Sequence, residues 1–178
     1  MTPDAAGGAR AERLAVIAYG SNLGDRAALL DAAVADLGAA AGVRLVDESP
    51  RYETPAQKLT GVDEGAPRYL NGVVRVATTL DPLDLLDVLQ AIEAAHGRVR
   101  VERWGDRTLD LDLIDVEGLD HEDARLTLPH PRAAERAFVL QPWLDLDPAA
   151  VLDGRSVAEL RAAAADVVVR ADATGSPS

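Results

Sequence analysis

An α+β sandwich, with a mainly antiparallel sheet and helices on its faces, is the fold class this sequence predicts. Three observations predict it. Elements run in the order strand, helix, strand, strand, helix, strand. The two central strands follow one another with no crossover helix between them, which a parallel sheet would require. Both helices carry an apolar stripe, as helices packed on one side of a sheet do. A doubly wound α/β fold is the alternative.

The first strand is "RLAVIAY", a short apolar run rich in β-formers that ends in the turn residues "GSNLGDR". Leu29, Leu30, Ala33, Val34 and Leu37 then recur at helical spacing, with Asp25 as N-cap and Gly42 closing the segment. "VRLVDES" reads as the second strand. From Thr54 to Arg68, Pro, Gly and charge mix without periodicity, which predicts a long loop of the kind that carries function. "YLNGVVRVATTL" alternates as a strand. In "DPLDLLDVLQAIEAAHG", Asp81 is expected to cap a helix, Pro82 to occupy its first turn, and Leu85, Leu86, Leu89 and Ile92 to form its stripe before Gly97. An irregular arginine-rich stretch follows, and "TLDLDLIDV" resumes as a strand. "ERAFVLQPWLDL" and "SVAELRAAAADVVV" add further mixed elements. Residues 1–12 read as a flexible leader, 13–168 as one catalytic domain and 169–178 as a disordered tail.

Composition narrows the function. A net charge of -12 over 178 residues argues against nucleic-acid or membrane-surface partners, both polyanionic. There is no cysteine, hence no disulfide framework or thiolate metal site. No apolar stretch reaches the length of a membrane span, and a cytoplasmic monomer is expected.

Against that acidity, Arg98, Arg100, Arg103 and Arg107 stand within ten residues, opposed only by Glu102 and Asp106. Directly after them come Asp110 and Asp112. On a strand these two project from one face while Leu109, Leu111 and Leu113 take the other. Carboxylates so placed repel unless a cation lies between them, and hard divalent ions with oxygen ligands are the usual remedy. Guanidiniums offer paired donors that suit phosphate oxygens. Together the two groups fit a polyphosphate with bound magnesium. A solvated strand face and a salt-bridged surface are the plainer readings of each group alone, and a structural calcium site or a nucleotide- or RNA-binding module are the competing functions. "GSNLGDR" matches neither standard nucleotide loop. Tyr69 and Asn71 share a strand face, where an aromatic and an amide could meet a flat heterocycle. His130 sits between two prolines, with no partner at zinc-ligand spacing.

The segments "AYGSNLGDR", "YETP", "YLNGVV", "GRVRVERWGDRTLDLDLIDV" and "LTLPHPRAAERAFVLQPW", in that order, resemble the 6-hydroxymethyl-7,8-dihydropterin pyrophosphokinase family. The resemblance covers most of residues 15–145, and the Arg-Trp-Gly-x-Arg-x-x-Asp-x-Asp run is its specific part. It implies a ferredoxin-like α+β fold and transfer of pyrophosphate from ATP to a pterin alcohol in folate biosynthesis. It also implies two Mg²⁺ ions on Asp110 and Asp112, with Arg98, Arg107 and Asp112 at the reacting phosphates. ATP contacts are implied at Gln90, Arg98, Arg100, Arg107, Leu113, Arg125, Leu126, Thr127, His130 and Arg136, and pterin contacts at Thr54, Pro55, Tyr69, Asn71, Trp104 and Phe138. Asp106 departs from the family pattern, which usually has a proline or a small or uncharged residue there.

Overall fold

Residues 10–58, 61–63, 65–97 and 109–171 are described by the computed structural model of this chain. Its strands are β1 (Arg13–Ser21), β2 (Val43–Glu48), β3 (Tyr52–Thr54), β4 (Ala56–Lys58), β5 (Gly61–Asp63), β6 (Tyr69–Thr78), β7 (Asp110–Val116), β8 (His121–Glu122), β9 (Thr127–Leu128), β10 (Val151–Leu152), β11 (Arg155–Ser156) and β12 (Val169–Arg170). The helices are α1 (Arg26–Ala39), α2 (Pro82–Ala95), α3 (Ala137–Leu146) and α4 (Val157–Ala163).

The main sheet runs β12-β3-β6-β1-β7, with β2 pairing the other half of β6, and every described pair in it is antiparallel. β1, α1, β2, β6, α2 and β7 thus reproduce the expected βαββαβ order, and the doubly wound alternative is excluded. β1 and β6 are buried along almost their whole length because helices cover both faces of the sheet. On one face Ala15, Ile17, Val74 and Val76 pack with Leu30 and Leu37 of α1 and Leu85 and Leu89 of α2. On the other, Val16, Ala18, Val73 and Ile114 pack with Val139, Leu140 and Trp143 of α3 and Leu160 of α4. A fully buried Leu or Val contributes about 1.5–3 kcal/mol. Two such layers on one sheet hold its strands rigid between them.

The two helix starts differ. At α1 the Asp25 carboxylate accepts the Ala28 N–H at 3.1 Å, a genuine side-chain cap. At α2 the expected cap fails: Asp81 occupies the N-cap position but makes no cap hydrogen bond, its carboxylate being taken by Arg10. Asp25→Ala is therefore expected to cost about 1 kcal/mol, whereas Asp81→Ala, losing an exposed ion pair, should stay within about 0.5 kcal/mol of wild type. Urea midpoints of the two variants measure the difference.

Two other expectations are corrected. The segment from Thr54 to Arg68 is not loop throughout: β4 and β5 pair as a ribbon, Ala56 opposite Asp63 and Lys58 opposite Gly61. The tail does not begin at 169, since Val169 and Arg170 pair with Glu53 and Tyr52 and the Ala171 N–H bonds the Arg51 carbonyl at 2.9 Å.

Candidate functional site

β7 alternates as its sequence dictates from Asp110 to Leu113. Asp110 and Asp112 are half-buried on one face, and Leu111 and Leu113 enter the core under α1 and α2 on the other. The alternation breaks at Ile114, where the β1–β7 register shifts and Asp115 comes opposite Val16. An extra residue of this kind re-aims the strand without unpairing it. Asp112 stands opposite Ala18 and Asp110 opposite Gly20, so the carboxylates rise beside small residues of β1. The Arg136 guanidinium lies 3.4 Å from the Asp112 carboxylate and 5.7 Å from the Phe138 ring, linking the pair to the start of α3. Among the described residues no third His, Asp or Glu completes a cage. A pair of hard oxygen donors of this sort suits a magnesium ion that draws its other ligands from water and phosphate.

Cross-strand register carries the site across the sheet. Asp110 stands opposite Gly20, Gly20 opposite Asn71 and Asn71 opposite Tyr52, so all four belong to one row on one face. With strands about 4.8 Å apart, Asp110 and Asn71 are separated by roughly 10 Å of sheet. The Asn71 amide donates to Thr54 Oγ1 at 2.9 Å, and its own oxygen lies over Gly20, where a Cβ would come within 2.6 Å. Glycine is required there by that close approach. Tyr69, opposite Thr54 and two residues before Asn71, shares their face; Pro55 follows Thr54 directly. Tyr52 donates its hydroxyl to Asp145 of α3 at 2.5 Å and is pushed up to about 12 by burial and by that carboxylate. The bond ties the helix that carries Phe138 to the strand beside Asn71.

The residues expected to meet nucleotide gather on the outer edge of β7. Leu113, Arg125, Leu126, Thr127 and His130 line one cleft of about 300 Å³ with Asp112 as part of its wall. Gln90 is exposed one helical turn after Leu86, another lining residue, on the same side of α2. Arg125 pairs with Asp87 of α2 at this cleft. The Leu128–Pro129 peptide is cis, and the His130 N–H bonds the Ile114 carbonyl at 2.7 Å, which seats the ring against β7. Burial, then the charge of Arg136, pushes the His130 imidazole below its ordinary value, so it is neutral at pH 7. Its Nδ1 accepts the Arg132 N–H at 3.2 Å, which leaves the proton on Nε2 as a donor. Arg98, Arg100, Trp104 and Arg107 lie outside the described residues.

A second cleft, of about 390 Å³, borders the turn after β1 and is lined by Asn22, Gly24, Arg26, Glu53 and Arg68. Arg26 and Arg68 both turn to Glu53, at 2.8 and 3.6 Å, so one carboxylate serves two guanidiniums; β1 ends at Ser21 and α1 begins at Arg26 across this segment. "GSNLGDR" is thus a strand-to-helix turn. Sequence reasoning missed two participants. Tyr52 was visible only as part of "YETP", and its partner is ninety-three residues away. Glu93, buried on α2, had a signal: it falls four residues after Leu89, a charge within the apolar stripe.

Comparison with known proteins adds four findings. The family model described as 7,8-dihydro-6-hydroxymethylpterin-pyrophosphokinase (HPPK) matches residues 16–148. The 2-amino-4-hydroxy-6-hydroxymethyldihydropteridine pyrophosphokinase of Methylorubrum extorquens is 45% identical over 145 residues, covering 82% of this chain and 89% of its own. The protein of the same name from Pseudomonas aeruginosa is 45% identical over 148 residues, covering 83% and 89%. Among solved structures, wild-type Plasmodium falciparum HPPK-DHPS with pteroate superposes with a TM-score of 0.65 at 14% identity, over 85% of this chain and 42% of that one. That likeness is one of fold, and this chain spans under half of the longer protein.

Proposed function

Because this chain belongs to the 7,8-dihydro-6-hydroxymethylpterin-pyrophosphokinase family, we propose that it transfers pyrophosphate from ATP to 6-hydroxymethyl-7,8-dihydropterin, giving the pterin diphosphate and AMP in folate biosynthesis. The observation that carries this reading is the row Asp110–Gly20–Asn71, in which a carboxylate suited to a cation and an amide suited to a ring edge stand on one face, two strands apart. The hydroxymethyl oxygen bonds to the β-phosphorus as the bond from that phosphorus to the α-phosphate oxygen breaks. AMP leaves with that oxygen, and the hydroxyl proton goes to solvent.

Magnesium held by Asp110 and Asp112, two ions in this reading, would neutralise and orient the polyphosphate. The chain's own residues do the rest. Neutral His130 offers its Nε2–H to a phosphate or ribose oxygen without adding charge. Arg125 supplies a guanidinium in the cleft, and Arg136 another beside Asp112. Gln90, Leu113, Leu126 and Thr127 frame the nucleoside. Asn71, held by Thr54, fixes the pterin edge, and Tyr69 and Phe138 take its faces, with Pro55 beside them. Arg98 and Arg107 are assigned to the transferring group, Arg100 to ATP and Trp104 to the pterin on the sequence pattern. Positioning and charge stabilisation are the sources of rate, and no residue is needed as general base.

A monomeric cytoplasmic enzyme without nucleic-acid or membrane partners belongs to the same proposal, supported by the net charge of -12. No described helix is long and apolar enough to cross a membrane.

The experiment supplies ATP, Mg²⁺ and the reduced pterin and follows AMP. Stoichiometric AMP and pterin diphosphate are expected; ADP as the nucleotide product, or no pterin-dependent turnover, would refute the reading. Gly20→Ala tests the ring end, since its Cβ must displace the Asn71 oxygen. Pterin KM should rise about 10-fold, the cost of one misplaced hydrogen-bonding group, with ATP KM little changed; steady-state kinetics in both substrates check this.

A further inference from the structure

Among the described residues, Glu93 is the only buried side chain that is an acid or a base of the Asp, Glu, His, Lys and Arg kind, at 2% exposure, yet the proposed reaction gives it no task. It shares a side of α2 with Leu85, Leu89 and Ile92, where an unsatisfied carboxyl would cost several kcal/mol. What it meets there is specific: its Oε1 accepts the backbone N–H of Leu111 at 2.8 Å. Leu111 is the residue between Asp110 and Asp112. β7 is the last strand of the sheet among the described residues, so an N–H on its outer side has no strand to bond.

We infer that Glu93 is a positioning residue for the metal: by holding the peptide between Asp110 and Asp112, it fixes the carboxylate pair in the arrangement a shared cation needs. The inference rests on the reading of Asp110 and Asp112 as magnesium ligands. β1 secures β7 from one side only, through Gly20 and Ala18 opposite the two aspartates. The hydrogen bond from α2 secures it from the other. Without it the peptide between the two ligands loses its bond to α2, and each cation bound must first restore that order. Outer-shell partners of this kind are worth about 10–100-fold in metal affinity when removed.

The test uses the full chain and two readouts besides turnover: calorimetric Mg²⁺ binding in the presence of a nonhydrolysable ATP analogue, and hydrogen exchange of the Leu111 amide. Glu93→Ala is expected to weaken Mg²⁺ binding and raise the half-saturating Mg²⁺ concentration for AMP formation by about 10-fold or more. Leu111 exchange protection should fall with it. Glu93→Gln keeps an oxygen in place for the same N–H and should remain within about threefold of wild type on all three measures, as a hydrogen-bond acceptor role requires. Should Glu93→Ala not fold, Glu93→Asp, one methylene too short to reach, takes its place with the same expectation. Wild-type Mg²⁺ binding in the Ala or Asp variant overturns the inference, as does a Gln variant as impaired as Ala. Asp110→Asn and Asp112→Asn separate the two levels. If they leave Mg²⁺ binding unchanged, the metal reading has failed and this inference with it; if they weaken it while Glu93→Ala does not, only the positioning role is lost.

Discussion

Asp112→Ala is expected to lower kcat/KM for AMP formation on the order of a thousandfold, about 4 kcal/mol of transition-state stabilisation. The variant removes one of two carboxylates on the same face of β7, so a cation loses a ligand, and it releases the Arg136 guanidinium from the ion pair that orients it at 3.4 Å. Both changes act against the phosphates being drawn to one point. Asp115→Asn on the same strand is the control: Asp115 lies past the register shift, opposite Val16, and its carboxyl is pushed up by burial. It should retain activity within a fewfold of wild type. Steady-state kinetics over a Mg²⁺ series read both variants, and a Asp112→Ala enzyme with near-normal kcat/KM at low Mg²⁺ would remove that residue from the site.

Gly72→Ala is expected to have the largest effect on stability. Tyr19 crosses over Gly72 on the face away from the site, and a Cβ at 72 would lie 2.4 Å from the tyrosine oxygen and 2.5 Å from Cζ. The ring cannot step aside. Tyr19 is buried, donates to Glu48 at 2.6 Å and accepts from Arg51 Nε at 3.4 Å, and Arg51 in turn reaches Asp31 of α1 at 2.6 Å. Overpacking costs about 1–3 kcal/mol, and loss of the Tyr19 hydroxyl network brings the expectation to about 3 kcal/mol or more. For a chain of this size that is a fall in Tm of about 6–12 °C. Gly38→Ala in α1 is the contrast: its Cβ would meet only Leu45 at an ordinary 3.7 Å, and a helix gains about 0.5–1 kcal/mol from such a change. Thermal unfolding of the two variants should move in opposite directions.

The parts of this fold that were legible in the sequence are those whose hydrophobic period is local. β1, α1, β6, α2 and β7 each announce themselves by apolar spacing, and the placement of Asp110 and Asp112 on one face follows from a period of two. What was illegible depends on partners far away in the chain. The β4–β5 ribbon has no alternation to betray it, and β12 exists only because two residues find β3 more than a hundred positions earlier. Asp25 and Asp81 look alike in sequence, yet only Asp25 caps, because Arg10 claims Asp81. At the site, the gathering of Arg125, Thr127 and His130 beside Asp112 came from the family pattern, since no local rule brings a hairpin and a proline-flanked histidine to the edge of β7.

That β7 is the outermost strand of the sheet among the described residues has a bearing on solubility. An outermost strand presents unpaired amides and carbonyls that a second molecule could extend, the first step of edge-to-edge aggregation. Here two carboxylates on alternate residues would confront their counterparts if two copies met, and the Leu111 amide is already occupied by Glu93. The acidic groups assigned to ligand chemistry also guard the rim of the sheet, so neutralising them should make the protein stickier as well as slower.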